Sequence, residues 1–147
     1  LRIIRVRPFC IIGPRKIGDV SSDFARGIVA VERGERHQLE VGSLEAVRDF
    51  VDVRDAVVAL EMLAEQGEEG EAYNVCTGVG HSVREVLDIL LAHAHKPVAV
   101  CPDPSRFRPV EEPFKVGNCA KLLQLGWRPS IPFEQSLNDI LTSCRNT

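Results

Sequence analysis

The sequence predicts an α/β fold in which strands pair mainly in parallel. Three observations predict it. Apolar runs of strand length recur between stretches whose apolar residues are spaced three and four apart. Gly, Pro and helix-capping residues fall at the joints between them. Strands alternate with helices, the order that crossover connections require.

The elements follow in order. Residues 2–7 alternate Arg with apolar side chains and run into Pro8-Phe9-Cys10-Ile11-Ile12-Gly13-Pro14, a strand ended by a Gly-Pro turn. A helix opens at Ser21 or Ser22, carries Phe24, Ile28 and Val31 on one stripe, and ends near Gly34. Residues 39–41 form a short strand stopped at Gly42, and residues 48–51 form the next. Asp52 or Val53 then opens a helix with the stripe Val53, Val57, Leu60 and Ala64, closed by Gly67 and Gly70. Residues 72–75 are a strand. Ser82-Val83-Arg84-Glu85 fits a capping box, in which hydroxyl and carboxylate each satisfy an orphan amide. Val83, Val86, Leu87, Leu90, Leu91 and Ala94 continue that helix at i, i+3 and i+4 spacing. Residues 98–100 form a strand, followed by an aperiodic Pro- and Arg-rich loop at 102–113, the kind of long connection that often carries function. Asn118 caps a short helix through Leu125, stopped by Gly126. Pro132 starts the last helix, which carries Phe133, Leu137, Ile140, Leu141 and Cys144. No repeat or linker divides the chain, so residues 1–147 read as a single α/β unit.

Composition narrows the class. With 18 Lys plus Arg against 21 Asp plus Glu, the net charge is −3, which argues against a nucleic-acid binder. Apolar residues at 44% and charged ones at 27% are ordinary for a globular domain. No apolar run is long enough to span a bilayer. Cys10, Cys76, Cys101, Cys119 and Cys144 form no C-x-x-C, so scattered thiols point to a reducing, cytoplasmic setting. The four histidines read as surface residues, since His93 and His95 fall on different helix faces. The opening, in mid-strand without Met and with charge at every second or third position, reads as no signal peptide and as a piece of a longer protein.

Several enzyme signatures are missing. Gly78-Val79-Gly80 is followed by Val83 where a G-x-G-x-x-G would need its third glycine. There is no G-x-x-x-x-G-K-[ST] and no G-x-S-x-G. The single tyrosine, Tyr73, is followed four residues on by Thr77, so no Tyr-x-x-x-Lys pair exists.

Five segments nevertheless carry a resemblance. They are 6–14 (Val-Arg-Pro-Phe-Cys-Ile-Ile-Gly-Pro), 41–55 (Val-Gly-Ser-Leu-Glu-Ala-Val-Arg-Asp-Phe-Val-Asp-Val-Arg-Asp), 73–78, 108–111 and 125–129. In their order and spacing they resemble the C-terminal part of the extended short-chain dehydrogenase/reductase family. Within it they are most similar to the GDP-mannose 4,6-dehydratases and GDP-4-keto-6-deoxy-mannose reductases. The resemblance implies the end of a Rossmann-type parallel sheet plus a small substrate lobe, with the N-terminal dinucleotide-binding half absent. It implies NAD or NADP in the intact enzyme, none bound by this chain alone, a nucleotide-sugar substrate, a homo-oligomer, and no catalytic residue here, so that the chain alone is inactive. The rival is a non-catalytic binding or interaction module derived from the same family.

The resemblance also implies site residues. Arg48 would face the nucleotide diphosphate, because a guanidinium grips phosphate oxygens in a fork; an ion pair with Asp49, Asp52 or a neighbouring acid is the alternative. Arg108 would contact phosphate and Glu111 the ribose hydroxyls, with Glu112 the competitor if the loop aligns one residue later. Cys10 stands where the family usually has a substrate-binding Asn, Ser43 where Asn is common, and Asn118 where Asp is frequent. A thiol cannot replace two amide hydrogen bonds, but a serine can still bond a nucleotide. Ser82 and Glu85 are assigned to capping, Trp127 to packing between the last two helices, and Arg2, Arg5 and Arg7 to covered or paired positions.

Overall fold

The computed structural model describes residues 2–107 and 112–147, so the Arg108 and Glu111 assignments lie outside the described residues. The first apolar run is two strands, Arg5–Pro8 (β1) and Cys10–Ile12 (β2). Pro8 has no amide hydrogen to donate, and the ladder changes partner across Phe9. β1 pairs in parallel with Ala72–Val75 (β5), whereas β2 pairs in parallel with Val47–Asp52 (β4). Phe9 marks the crossing, its amide donating to the Val75 carbonyl at 3.0 Å.

The remaining elements are the helices Val20–Glu32 (α1), Val53–Gln66 (α2), Val83–Ala92 (α3), Ala120–Gln124 (α4) and Phe133–Arg145 (α5), and the strands Leu39–Val41 (β3), Gly80–Ser82 (β6), Val100–Pro102 (β7) and Phe114–Lys115 (β8). β3 pairs in parallel with β7. The first half of β4 is flanked by β6, antiparallel, and by β8, parallel. The α/β architecture with mainly parallel pairing is therefore present, with β4–β6 the antiparallel exception among the described residues.

Capping differs from expectation in an instructive way. α1 starts at Val20 because Asp19 is its N-cap: the carboxylate accepts from the Ser21 and Ser22 amides at 2.9 and 3.1 Å, and Ser22 Oγ accepts from the Asp19 amide. That reciprocal box is the one expected at residues 82–85. There, Ser82 Oγ accepts from the Glu85 amide at 3.0 Å, but the Glu85 carboxylate binds His81 Nδ1 at 2.8 Å instead of turning back. His81 is accordingly no surface residue; its ring stacks on Phe133 with centroids 3.9 Å apart. Asn118 Oδ1 accepts from the Ala120 amide at 2.9 Å, one residue outside the α4 N-cap, Cys119. β7 lies two residues later than the strand read at 98–100.

Two apolar cores form. One joins α1, α3 and α5 to β3 and to Ile12 and Phe50; the other joins α2, β5 and α4 to Val51 and Trp127. The expected stripe of α2 faces outward, with Val53, Val57 and Leu60 at 38%, 48% and 47% exposure, while Asp55, Ala56, Ala59 and Leu63 are buried. Bulky residues advertise a stripe, but the small Ala56 and Ala59 allow the helix to approach β4, β2 and the Trp127 ring closely. Trp127 thus packs against α2, β5 and α4, and its indole donates to the Asp55 carbonyl at 3.0 Å.

Three acids at the β4–α2 junction bind the parts together. Asp49, fully buried, accepts from the Thr77 amide and hydroxyl at 2.8 and 2.7 Å, from the Gly78 amide at 2.8 Å and from the Gly117 amide at 3.2 Å. Asp52 caps α2 and takes Arg54 and the Ser136 hydroxyl. Asp55 takes the Ser130 amide and hydroxyl and the Ile131 amide. At the far end of the molecule, Glu32 of α1 is held by Arg145 of α5 at 2.7 and 2.9 Å and by the His95 amide at 2.7 Å.

Asp49→Asn leaves one acceptor oxygen for four donors and turns an NH2 toward amides, so urea unfolding should show a loss of about 2–4 kcal/mol. The Glu32 carboxyl is held down from its ordinary 4.5 to about 2, first of all by the Arg145 hydrogen bond. Its contribution is therefore present above pH 4.5 and lost as pH falls toward 2. Glu32→Gln should lower stability at pH 7 and flatten the acid limb of a stability–pH curve in that window; an unchanged acid limb would contradict the assignment.

Candidate functional site

A cavity of about 790 Å³ opens against the first core, lined by Phe9, Cys10, Lys16, Asp23, Phe24, Arg36, Glu40, Gly42, Ser43, Arg48 and Arg106, among others. Its volume is in the range of small-molecule sites. Three expected site residues, Cys10, Ser43 and Arg48, come together here from separate elements. Cys10 stands at the start of β2, opposite Phe50 of β4. Ser43 follows β3 in the irregular segment that begins at Gly42. Arg48 sits on β4 in register with His81 of β6 and Lys115 of β8, and its guanidinium donates to the Val47 carbonyl at 2.8 Å. Of the alternative ion pairs, those with Asp49 and Asp52 do not form, because both carboxylates hold the loop and helix partners described above.

Six charged wall residues were not singled out in the sequence: Lys16, Asp19, Asp23, Arg36, Glu40 and Arg106. Lys16 donates to the Ile11 carbonyl and lies 3.4 Å from Asp19. Arg106 sits inside the aperiodic loop, the one signal that pointed toward it. Nothing in the local pattern distinguishes Arg36 or Glu40, whose approach to the cavity depends on how β3 docks.

The cavity is cationic on balance, and this shows in Cys10. Burial pushes its thiol above the ordinary 9.0, opposed by the charges of Arg48, Lys16 and Lys115. A nicotinamide dinucleotide would need a Gly-rich turn opening onto free amides at a helix start. Here the starts of α1, α2 and α3 are each closed by a side-chain cap, Asp19, Asp52 and Ser82. None of these three helix starts presents the free amides that such a turn uses. Among the described residues, no group of three His, Cys, Asp or Glu side chains is placed to hold a metal ion, and no helix is long and apolar enough to cross a membrane.

Alkylation of Cys10, followed by peptide mass spectrometry, should have a pH midpoint above 9.0. Arg48→Met should move it higher still, because the largest opposing charge is removed. A midpoint unmoved by that substitution would separate Arg48 from the thiol.

A sequence profile of the GDP-mannose 4,6 dehydratase family matches residues 1–140. The chain is 38% identical over 144 residues to the GDP-6-deoxy-D-mannose reductase of Pseudomonas aeruginosa, covering 96% of this chain and 47% of that protein. It superimposes on RMD from Pseudomonas aeruginosa complexed with NADPH with a TM-score of 0.90 at 35% identity, covering 99% of this chain and 49% of that one. With the Thermus thermophilus UDP-glucose 4-epimerase in complex with NAD, the TM-score is 0.82 at 30% identity, covering 99% and 47%. The chain thus spans about half the length of the relatives it matches. It belongs to the GDP-mannose 4,6 dehydratase family of extended short-chain dehydrogenases/reductases, a family of nucleotide-sugar enzymes, and corresponds to its C-terminal part.

Proposed function

We propose that this chain is the substrate-binding part of an NAD(P)-dependent nucleotide-sugar reductase, dehydratase or epimerase acting on a GDP-hexose. The observation that carries the reading is the convergence of Arg48, Ser43 and Cys10, with Lys16 and Arg36, on one cavity of about 790 Å³. A diphosphate is dianionic or more, and a guanidinium on a rigid strand meets it in a fork without first having to be ordered. Ser43 supplies a hydroxyl beside it. Arg108 and Glu111 belong to the same reading, on phosphate and ribose. The intact enzyme would take NAD or NADP, as the NADPH- and NAD-bound relatives do, and this chain's part is to hold the sugar carbon in register. Positioning of this kind is worth up to roughly 7–11 kcal/mol in favourable cases.

The five free thiols support a reducing, cytoplasmic setting. The outward apolar face of α2 supports self-association. A catalytically silent binding module is the second reading, favoured by Cys10, Ser43 and Asn118 standing where the family carries other polar residues.

Calorimetric titration with GDP tests the proposal. Arg48→Ala and Arg108→Ala should each weaken binding by about 1.5–3 kcal/mol, the range for hydrogen bonds to charged groups. Trp127→Phe should change stability and leave the dissociation constant alone. The chain by itself should turn over no GDP-sugar. Equal affinities in wild type and Arg48→Ala would remove the phosphate role and the reading with it.

A further inference from the structure

Two thiols that the nucleotide reading does not use lie together beside the Asp49 carboxylate. Cys76 is fully buried directly after β5, and Cys119 is 6% exposed at the N-cap of α4. Asp49 holds the amides of Thr77, Gly78 and Gly117, so the two cysteines flank the two loops that it pins together. Asn74 adds a tie between the same segments, its Nδ2 donating to the Asn118 carbonyl at 3.0 Å. The packing between them is close. A Cβ on Gly117 would collide with Cys76 Sγ and stand 2.8 Å from Cys76 Cβ, and a Cβ on Gly78 would lie 3.6 Å from Cys119 Sγ. Each sulfur thus packs on the loop that carries the other, and Cys119 acts on the Cys76 thiol by charge and by hydrogen bond. Both thiols are free.

We infer that Cys76 and Cys119 are an oxidative modification site, a dithiol that a peroxide converts into an internal disulfide. Cys119 reacts first, because of the two sulfurs it alone has any access to solvent. Its thiolate attacks one peroxide oxygen and the O–O bond breaks. Cys119 sulfenic acid forms, and the departing hydroxide takes the thiol proton to leave as water. The Cys76 sulfur then attacks the Cys119 sulfur, the S–S bond forms and the S–O bond breaks. The second hydroxide takes the Cys76 proton, so two thiols are oxidised and one peroxide is reduced to two waters. Burial, and after it the charge of Asp49, pushes the Cys76 thiol up to about 12, so it keeps its proton and stays inert until Cys119 is oxidised. It reacts then because it is already held against its target. The bond closes residues 77–118 into one loop and repeats in covalent form the tie that Asp49 makes by hydrogen bonds. Such a cross-link stabilises chiefly by restricting the unfolded chain.

The test is treatment of the folded protein with hydrogen peroxide, an acid quench, alkylation in denaturant and peptide mass spectrometry without reductant. The Cys76 and Cys119 peptides should appear joined, within one chain, at the mass of the pair less two hydrogens. The unfolding temperature should rise by roughly 5–15 °C over the reduced protein, and dithiothreitol should reverse both changes. Cys76→Ser removes the sulfur that condenses with the sulfenic acid, so dimedone should label Cys119 in that variant and hardly at all in wild type. The wild-type peptide map decides the matter even where the variant folds poorly. Wild type in which both thiols are still alkylated after peroxide, or in which Cys119 passes to sulfinic or sulfonic acid with no link to Cys76, would overturn the site. A link found only between two chains would overturn it too. A linked chain that unfolds no higher than the reduced one would overturn the clamp.

Discussion

The Asp49 carboxylate is the constraint on which the rest of the arrangement depends. Four donors from two loops converge on a side chain with no exposure to water, so the strand that carries it has one position relative to residues 77–78 and 117. A buried carboxylate is tolerable only when it is so fully bonded. Its neighbour Arg48 necessarily points to the opposite face of β4 and into the cavity. The position of the one cation on the central strand is therefore set by the hydrogen bonds of the residue beside it.

Asp52 and Asp55 extend the same logic along the chain. Each recurs three residues after the last, and each fixes a different distant segment: α5 through Ser136, and residues 130–131 ahead of it. The two apolar cores are oily and non-directional, and alone they would permit sliding. The acids supply direction. In this chain polar burial specifies the relation between cores, while apolar burial supplies most of the driving force.

Most of this fold was legible in the sequence, because strand length, helical spacing and capping chemistry are local. What was illegible depended on partners remote in sequence. The break at Phe9 arises because Pro8 and Cys10 find different strands. The outward turn of Val53, Val57 and Leu60 arises because two alanines offered closer packing than bulk could. His81 needed Phe133, far along the chain, to become a packed ring. The site divides the same way. Cys10, Ser43 and Arg48 lie in contiguous motif segments and did converge, whereas Lys16, Arg36 and Glu40 reach the cavity only through the docking of β3 and the turn after β2.

β4 has a property that follows from its place between the cores. Phe50 packs into one and Val51 into the other, on opposite faces of a single strand. Because side chains alternate, a shift of one residue would send the phenylalanine into the valine's hole and the valine into the phenylalanine's. It would also carry Arg48 to the wrong face and Asp49 away from its amides. Insertions and deletions across 47–52 should therefore be purged in any lineage carrying this chain, because one such change displaces every side chain of the strand at once.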